Sequence, residues 1–230
     1  MAQDVTLLSR LTSMLASTPP EAPLSERLLE AFVRIMEADG GAITIGFART
    51  ERTVVASVGV LGERIEELQD VLREGPALDA FRSRERVATS VESASVTWPL
   101  LGQSLEPRMP WLVAYPMIPH TEVLGVLSTY QFDQPRTSLQ PDDAAFLANT
   151  IGMTIVGRFE RSDTTELLWS ARDQIDHAVG MVVAQLTIVP ADALALLRAH
   201  AFAHNQSLSE VADAVTRRTL DFRQHHDGGS

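Results

Sequence analysis

Hydrophobic positions in the last quarter of the chain recur at helical spacing. Alternating steps of three and four residues separate the apolar positions Leu168, Ala171, Ile175, Ala178 and Val182. This spacing places the five side chains along one face of a helix. The pattern predicts a seam that pairs with another helix in the manner of a coiled coil.

Two shorter helices are predicted after this seam. Pro190 suits the first turn of a helix, because its missing N–H costs no hydrogen bond there. Ser207 and Glu210 have the spacing of a capping box that opens a further helix. The predicted core faces comprise Ala193, Leu194, Leu197 and Ala201 on the second helix and Leu208, Val211, Ala212 and Val215 on the third. The three segments together predict a helical bundle.

The first two thirds of the chain mix helical and strand periodicities. Runs that alternate between apolar and polar residues, separated by turn residues, predict hairpins of antiparallel strands. The predicted helices cover residues 3–17, 24–38, 62–73 and 76–82 and the segment after Pro141, and the predicted strands cover 43–47, 54–60, 111–118 and 123–132. Pro116 indicates an edge strand or a bulge. This mixture predicts an α+β fold with an antiparallel sheet.

The helix that opens at Pro141 is predicted to continue into the C-terminal bundle. Its apolar face comprises Leu147, Ile151, Ile155 and Phe159, and the polar sequence RSDTTE leads from there into the seam. A single long helix would therefore couple the two parts of the chain.

Composition narrows the possible functions. The chain has 230 residues, a net charge of −11, no cysteine, and arginine as its only basic residue besides histidine. Disulfides, thiol catalysis and lysine chemistry are therefore excluded. Its charge opposes general affinity for nucleic acids and anionic membranes. The acidic positions Glu63, Glu66, Glu67 and Asp70 fall mostly on one helix face, which predicts a solvated surface.

Sequence motifs for catalysis are missing. The chain has no glycine-rich phosphate loop, nucleophile elbow or metalloprotease helix. His200 and His204 have the spacing of two metal ligands on a helix, but no third ligand accompanies them. We therefore expect neither an enzyme nor a required cofactor or metal. Asp4 near the N-terminus and the absence of a long apolar run predict a cytoplasmic protein without membrane association.

The C-terminal helices resemble a known RNA-binding module. The sequences IDHAVGMVVAQ from Ile175, PADALALLRAHA from Pro190 and SLSEVA from Ser207 are similar in order and spacing to an ANTAR domain. The resemblance implies a three-helix module that works as a dimer. Such modules bind a nascent transcript that carries two hairpins and thereby prevent formation of a terminator.

Candidate RNA-binding residues come from the resemblance and from local basic charge. Ala178, Gly180 and Arg198 match the family pattern, whereas Val179 and Leu194 replace a usual basic and a common aromatic residue. Arginine forks and histidines can bind phosphates or stack on splayed bases. The predicted set comprises Arg172, His177, Ala178, Gly180, Arg198, His204, Arg217 and Arg218. The arginines can alternatively complement a helix C-terminus.

The preceding segment resembles a GAF domain. The sequence LQDVLREGPALD from Leu68, followed by Trp98-Pro99, Pro116 and LGVL from Leu124, is similar to actinobacterial proteins that join GAF to ANTAR. The resemblance implies an antiparallel sheet with dimerising helices on one side and a pocket for an unknown small molecule on the other. Candidate pocket residues are Phe81, Trp98, Trp111, Tyr115 and Tyr130, although aromatic residues of a sheet are often plain core.

The predicted organisation has four parts. Residues 1–23 form an N-terminal helix and a proline-rich linker, 24–161 the GAF domain, 162–222 the ANTAR domain and 223–230 a disordered tail. We expect a cytoplasmic, homodimeric antitermination regulator controlled by a small molecule or a partner. Two alternatives remain: an interaction switch that only dimerises, and a DNA-binding regulator in which the last two helices form a helix-turn-helix.

Overall fold

The chain divides into two compact units, Met1–Ser162 and Asp163–Ser230. The structure, a computed structural model, describes residues 2–48, 51–89, 91–105, 110–119, 121–159, 164–204 and 206–225. Within these ranges no single helix is both long and apolar enough to cross a membrane; one bent pair, formed by Gln174–Leu186 and Pro190–Ala203, passes by length and composition only.

An antiparallel five-stranded sheet forms the centre of the first unit, with the strand order β2-β1-β5-β4-β3. The strands are β1 (Gly40–Ala48), β2 (Glu51–Val58), β3 (Val87–Thr89), β4 (Trp111–Met117) and β5 (Gly125–Gln131). Both predicted hairpins are present, whereas the three-residue strand β3 escaped prediction. The fold is therefore α+β, as expected.

The edge strand or bulge predicted from Pro116 is not found, because β4 lies between β5 and β3 and its register with β5 is unbroken. Strand β3 pairs with β4 only from Leu112 to Ala114. Pro116 lies two residues beyond the last pair, so β3 does not need a hydrogen bond from it.

Helices cover both faces of the sheet. On one face lie α2 (Leu24–Ile35) and α7 (Pro141–Phe159), with α1 (Ala2–Ala16) packed against both. On the other lie α3 (Gly62–Leu72), α4 (Pro76–Ser83) and α6 (Pro99–Ser104), with α5 (Val91–Thr97) against α6. Sequence analysis did not predict α5 and α6, because each is shorter than the window in which helical periodicity is visible.

The second unit is a three-helix bundle of α8 (Thr164–Leu186), α9 (Pro190–Ala203) and α10 (Leu208–Thr216). The Ser207 hydroxyl accepts a hydrogen bond from the Glu210 N–H at 3.1 Å, and the Glu210 carboxylate accepts one from the Ser207 N–H at 2.8 Å. The predicted capping box is thus confirmed. The core consists of Ile175, Ala178, Val182, Ala193, Leu194, Leu197, Ala201, Val211, Ala212 and Val215.

The predicted helix-pairing seam has a different role along part of its length. Ile175, Ala178 and Val182 are buried within the single chain. They therefore pack inside the bundle of α8, α9 and α10. The side chains of Leu168 and Ala171 lie outside the described residues, as do residues 160–163. Pairing with a second chain and a continuous helix between the units both stay predictions.

Phe222 anchors the chain after α10. Its ring is buried and meets the His200 ring edge-on at 5.5 Å, while its N–H donates to Gln185 Oε1 at 3.2 Å. A 3-10 turn covers Phe222–His225. This turn includes residues 223–225, the first residues of the predicted tail, and residues 226–230 lie outside the described range.

Candidate functional site

The predicted RNA-binding residues of α8 differ in burial. Ala178 is completely buried, so it packs the bundle and cannot reach an RNA. His177 and Gly180 are exposed, and a Cβ added to Gly180 would meet no atom within 4 Å. The surface around Gly180 is therefore open. Arg172 lies on α8, but its side chain is outside the described residues.

The end of α10 carries two exposed arginines that differ in their ion pairing. Arg217 Nε donates to Asp213 Oδ1 at 2.9 Å, and this oxygen also accepts from Gln174 Nε2 of α8 at 2.9 Å. Within the described part of the chain, Arg218 forms no ion pair. Asp213 offsets the charge of Arg217, whereas the charge of Arg218 is available to a phosphate.

Arg218 owes its position to the way α10 ends. Its backbone is left-handed, with φ +61°, and the N–H groups of Thr219 and Leu220 donate to the Ala214 carbonyl at 2.9 and 3.1 Å. A left-handed residue after the last turn commonly ends a helix. Glycine is the usual residue there, so the exposed Arg218 is an unusual occupant of this position.

His204 stands apart from these arginines, at the end of α9. Its ring stacks on that of His200, with centroids 3.9 Å apart, and its Nδ1 lies 2.9 Å from the His200 carbonyl oxygen. Arg198 is half-buried on the same helix. Among the described residues, no group of three His, Asp or Glu side chains could hold a metal ion.

The predicted RNA-binding set therefore falls into separate groups. The Gln174–Asp213 hydrogen bond ties α8 to α10, one helical turn from His177 on one helix and from Arg217 on the other. We call the exposed candidate residues of α8 and of the end of α10, which are His177, Gly180, Arg217 and Arg218, the α8–α10 surface. His204 lies at the end of α9, and Ala178 is core.

The five predicted pocket aromatics do not line one pocket. Tyr115 meets Phe32 of α2 edge-on, with ring centroids 5.7 Å apart. Trp111 shares that sheet face, because it lies four residues from Tyr115 on the same strand. Tyr130 and Trp98 pack with Leu68 and Leu112 under α3 and α6. Phe81 packs against the neighbouring cluster of α4. Sequence periodicity could not reveal which residues of separate strands share a face.

Trp98 and Tyr130 are held as parts of the core. Trp98 Nε1 donates to Asp79 Oδ2 at 2.9 Å, which ties α6 to α4. The Tyr130 hydroxyl accepts from the Leu61 N–H at 3.1 Å, next to the start of α3. Both side chains are buried. Their polar atoms are engaged by the protein itself, which favours the interpretation of these two aromatics as core.

Sequence analysis missed a buried polar network on this side of the sheet. Arg52 of β2 donates from Nε and Nη2 to Asp70 Oδ1 at 3.1 and 3.0 Å, and its Nη1 lies 3.2 Å from Glu66 Oε2. The side chains of Arg52 and Glu66 are 3% and 0% exposed. The expectation of a solvated acidic face is therefore wrong for Glu66. A signal existed, since positions 62, 65, 66 and 69 form one helical stripe.

Burial and charge act in opposite directions within this network. Burial raises the pKa of the Glu66 carboxyl above its ordinary value, and Arg52 and the Ser128 hydroxyl only partly oppose that rise. Burial works against the charge of Arg52, but Asp70 and Glu66 outweigh it, so that the pKa of Arg52 is raised. On the other sheet face, burial raises the pKa of Tyr115, with Arg86 opposing it.

Gln69 connects the network to α4. Its Nε2 donates to Glu66 Oε1 at 3.1 Å, and its Oε1 accepts from the Ala77 N–H at 2.8 Å. Gly75 has φ +134°, and a Cβ there would lie 2.5 Å from Gln69 Cγ. The segment from Leu68 to Asp79 therefore forms a closely packed connection between α3 and α4.

Comparisons with known proteins agree with this architecture. The family model of the GAF domain matches residues 20–155, and that of the ANTAR domain matches residues 169–215. No curated protein matches the chain.

Several solved GAF domains are similar in structure. That of an Acinetobacter phosphoenolpyruvate-protein phosphotransferase has a TM-score of 0.49 and 16% identity, covering 71% of this chain and 98% of its own. The corresponding domain from Coxiella burnetii has a TM-score of 0.49 and 16% identity, and the match covers 70% of this chain and 96% of that domain. The GAF domain of a putative sensor histidine kinase from Pseudomonas syringae pv. tomato has a TM-score of 0.43 and 17% identity. This match covers 73% of this chain and 93% of that domain. The matches of the two family models show that the chain belongs to the GAF–ANTAR family, as a sensory regulator with an RNA-binding antiterminator output.

Proposed function

We propose that this protein is a non-enzymatic, cytoplasmic antitermination regulator whose ANTAR domains bind, as a dimer, a nascent transcript with two hairpins. A small molecule or a protein partner at the GAF domain controls this binding. The observation that carries the proposal is the order of the two domains, with the GAF model on residues 20–155 and the ANTAR model on residues 169–215.

The α8–α10 surface is the part of the ANTAR domain best suited to RNA. Arg218 is exposed and forms no ion pair within the described residues, and His177 is exposed on the neighbouring helix. An arginine fork can bind a phosphate or stack on an unpaired base. The open surface around Gly180 lets a backbone approach closely. Arg217 can join once an RNA phosphate competes with Asp213.

The charge of the protein predicts an unusual salt dependence. The chain carries a net charge of −11, and Asp213 offsets one of the two arginines at the end of α10. Affinity for single-stranded RNA falls with salt at a slope of about −0.7 for each phosphate neutralised. With two arginines per module, we expect a slope of roughly −1.4 per module. Stacking and hydrogen bonds to loop bases then supply much of the affinity.

A second candidate function is an interaction switch, which the outer face of α9 favours. Leu196 and Phe202 are 37% and 50% exposed there, and Ala191, Ala195 and Ala199 lie beside them on the exposed side. A helix that is apolar on all sides is normally buried. This apolar face is therefore better suited to contact another protein than to contact the phosphate backbone of a nucleic acid.

RNA binding by the full chain separates these candidates. The protein is titrated with a two-hairpin RNA, a loop-scrambled control and a DNA duplex. We expect selective binding of the two-hairpin RNA and at least tenfold weaker binding by the variant Arg218→Ala. The matched control is Arg10→Ala, an exposed arginine of α1, which should bind like the unmodified protein. Absence of RNA binding favours the interaction switch, and preference for the duplex favours a DNA-binding regulator.

A further inference from the structure

We propose that Glu66 is a proton-binding site of the GAF domain, with the proton on Oε2 and shared with the Ser128 hydroxyl, and that this proton joins α3 to the sheet. This contact between α3 and the sheet, which we call the joint, is then sensitive to pH. This proposal goes beyond the RNA output and does not depend on it.

The groups that face Glu66 carry unequal charge. Strand β2 contributes Arg52, α3 contributes Asp70 and Gln69, and β5 contributes Ser128. One guanidinium therefore stands against two carboxylates. Because removing an uncompensated charge from water is costly, one of the carboxyl groups gains by carrying a proton.

Exposure and hydrogen bonding decide which of the two carboxyl groups, Asp70 or Glu66, carries the proton. The Asp70 side chain is 17% exposed and accepts two hydrogen bonds from Arg52 at Oδ1, at 3.1 and 3.0 Å. These contacts and the nearby water stabilise its charge. The Glu66 side chain has no exposure at all. Glu66 is therefore the group at which a proton costs least.

Two unsatisfied atoms indicate where the proton lies. Among the described side chains, Glu66 Oε2 and Ser128 Oγ are buried without a hydrogen bond of acceptable geometry. Arg52 Nη1 approaches Oε2 to 3.2 Å but is misaligned, and it donates to Thr44 Oγ1 at 3.4 Å. A buried polar atom without a partner is destabilising. A proton on Oε2 neutralises this buried oxygen and lets it share a hydrogen bond with Ser128 Oγ, whose contact with Glu66 only partly opposes the effect of burial on the pKa, while Oε1 continues to accept from Gln69.

The joint extends from the sheet to α4. Gln69 accepts from the Ala77 N–H with its Oε1 while it donates to Glu66, so a shift of Glu66 moves the start of α4. Loss of the proton places a second negative charge beside Asp70 in a buried site. We therefore expect α3 to loosen from the sheet when Glu66 ionises.

The sign of the pH dependence follows from the raised pKa of Glu66. Its ordinary value is 4.5, and the folded protein holds the proton more tightly than the unfolded chain does. The stabilisation by the proton is complete below that ordinary value. It is lost as the pH rises through the higher pKa of the folded state.

Thermal unfolding of the full-length protein from pH 4.5 to 9 tests the proposal. The variant Glu66→Gln keeps the size and neutrality of the protonated side chain and cannot ionise. Relative to the unmodified protein, its Tm should rise progressively as the pH increases. The control Glu63→Gln changes an exposed carboxylate of the same helix and should follow the unmodified protein. Parallel Tm curves for Glu66→Gln and the unmodified protein would overturn the proposal.

A second measurement covers the case in which Glu66→Gln does not fold. In infrared spectra of the unmodified protein recorded at increasing pH, the carbonyl band of one buried protonated carboxyl group should persist above the pH at which exposed carboxyl groups ionise. The variant Ser128→Ala should shift this band, because the acceptor of the proton is lost. Loss of every protonated-carboxyl band at the pH at which exposed carboxyl groups ionise, or a persistent band that Ser128→Ala leaves unchanged, contradicts the assignment.

Discussion

The GAF domain and the ANTAR domain use their interiors differently. Among the described residues, all the buried polar and charged side chains belong to the first unit, including Arg52, Glu66 and Gln69. The ANTAR core is apolar, and completely buried alanines, such as Ala178 and Ala201, let its helices pack closely. A sensor gains from an interior that responds to charge. An output module gains from a rigid core that keeps its working residues on the surface.

The largest expected effect comes from breaking the buried network. Arg52→Met removes the cation that binds Asp70 and lies against the protonated Glu66, so the GAF domain should lose about 3–5 kcal/mol of unfolding free energy. Chemical denaturation measures this loss. The control is Arg64→Met, because Arg64 forms a partly exposed pair with Glu67 at 3.8 Å. A loss of less than about 1 kcal/mol for Arg52→Met, similar to that expected of the control, would contradict the importance of the network.

Neighbouring leucines of α9 test the apolar core of the ANTAR domain. Leu197 is completely buried and Leu196 is 37% exposed. Leu197→Ala should destabilise the bundle by about 2–5 kcal/mol through lost burial and a cavity, and Leu196→Ala by much less. Hydrogen exchange of α8 and α10 amides in both variants gives the measurement. Equal effects of the two substitutions would show that the assignment of the faces of α9 is wrong.

A smaller effect is expected at the start of α10. Ser207→Ala removes the acceptor of the Glu210 N–H and should cost about 1 kcal/mol. Ser209→Ala, at the exposed second position of the helix, is the matched control. Amide exchange at the first turn of α10 is the sensitive readout. If the two variants exchange at the same rate, the capping box does not stabilise this helix.

The contrast between the domains also explains what sequence analysis could predict. Local patterns predicted the capping box at Ser207 and both hairpins, because their determinants lie within a few residues. The Arg52–Glu66 pair depends on how α3 lies on β2, which no local pattern contains. The same holds for the opposite faces of Tyr115 and Tyr130.

The α8 seam shows a second kind of limit. Apolar spacing at Ile175, Ala178 and Val182 correctly indicates a buried face, but the same spacing suits helices of one chain or of two. In the structure, the partners are α9 and α10 of the same chain. For the candidate RNA site, the pattern likewise could not show that Ala178 is core or that Asp213 pairs with Arg217.

The most direct test of the proposed mechanism compares a two-hairpin RNA with each of its hairpins alone. Binding to the full-length protein is measured together with the stoichiometry of the complex by analytical ultracentrifugation. Paired ANTAR domains predict two protein chains per two-hairpin RNA and at least about a hundredfold tighter binding than to either single hairpin, because linked sites raise the effective concentration. One chain per RNA, with equal affinity for single and paired hairpins, would contradict the dimeric mechanism.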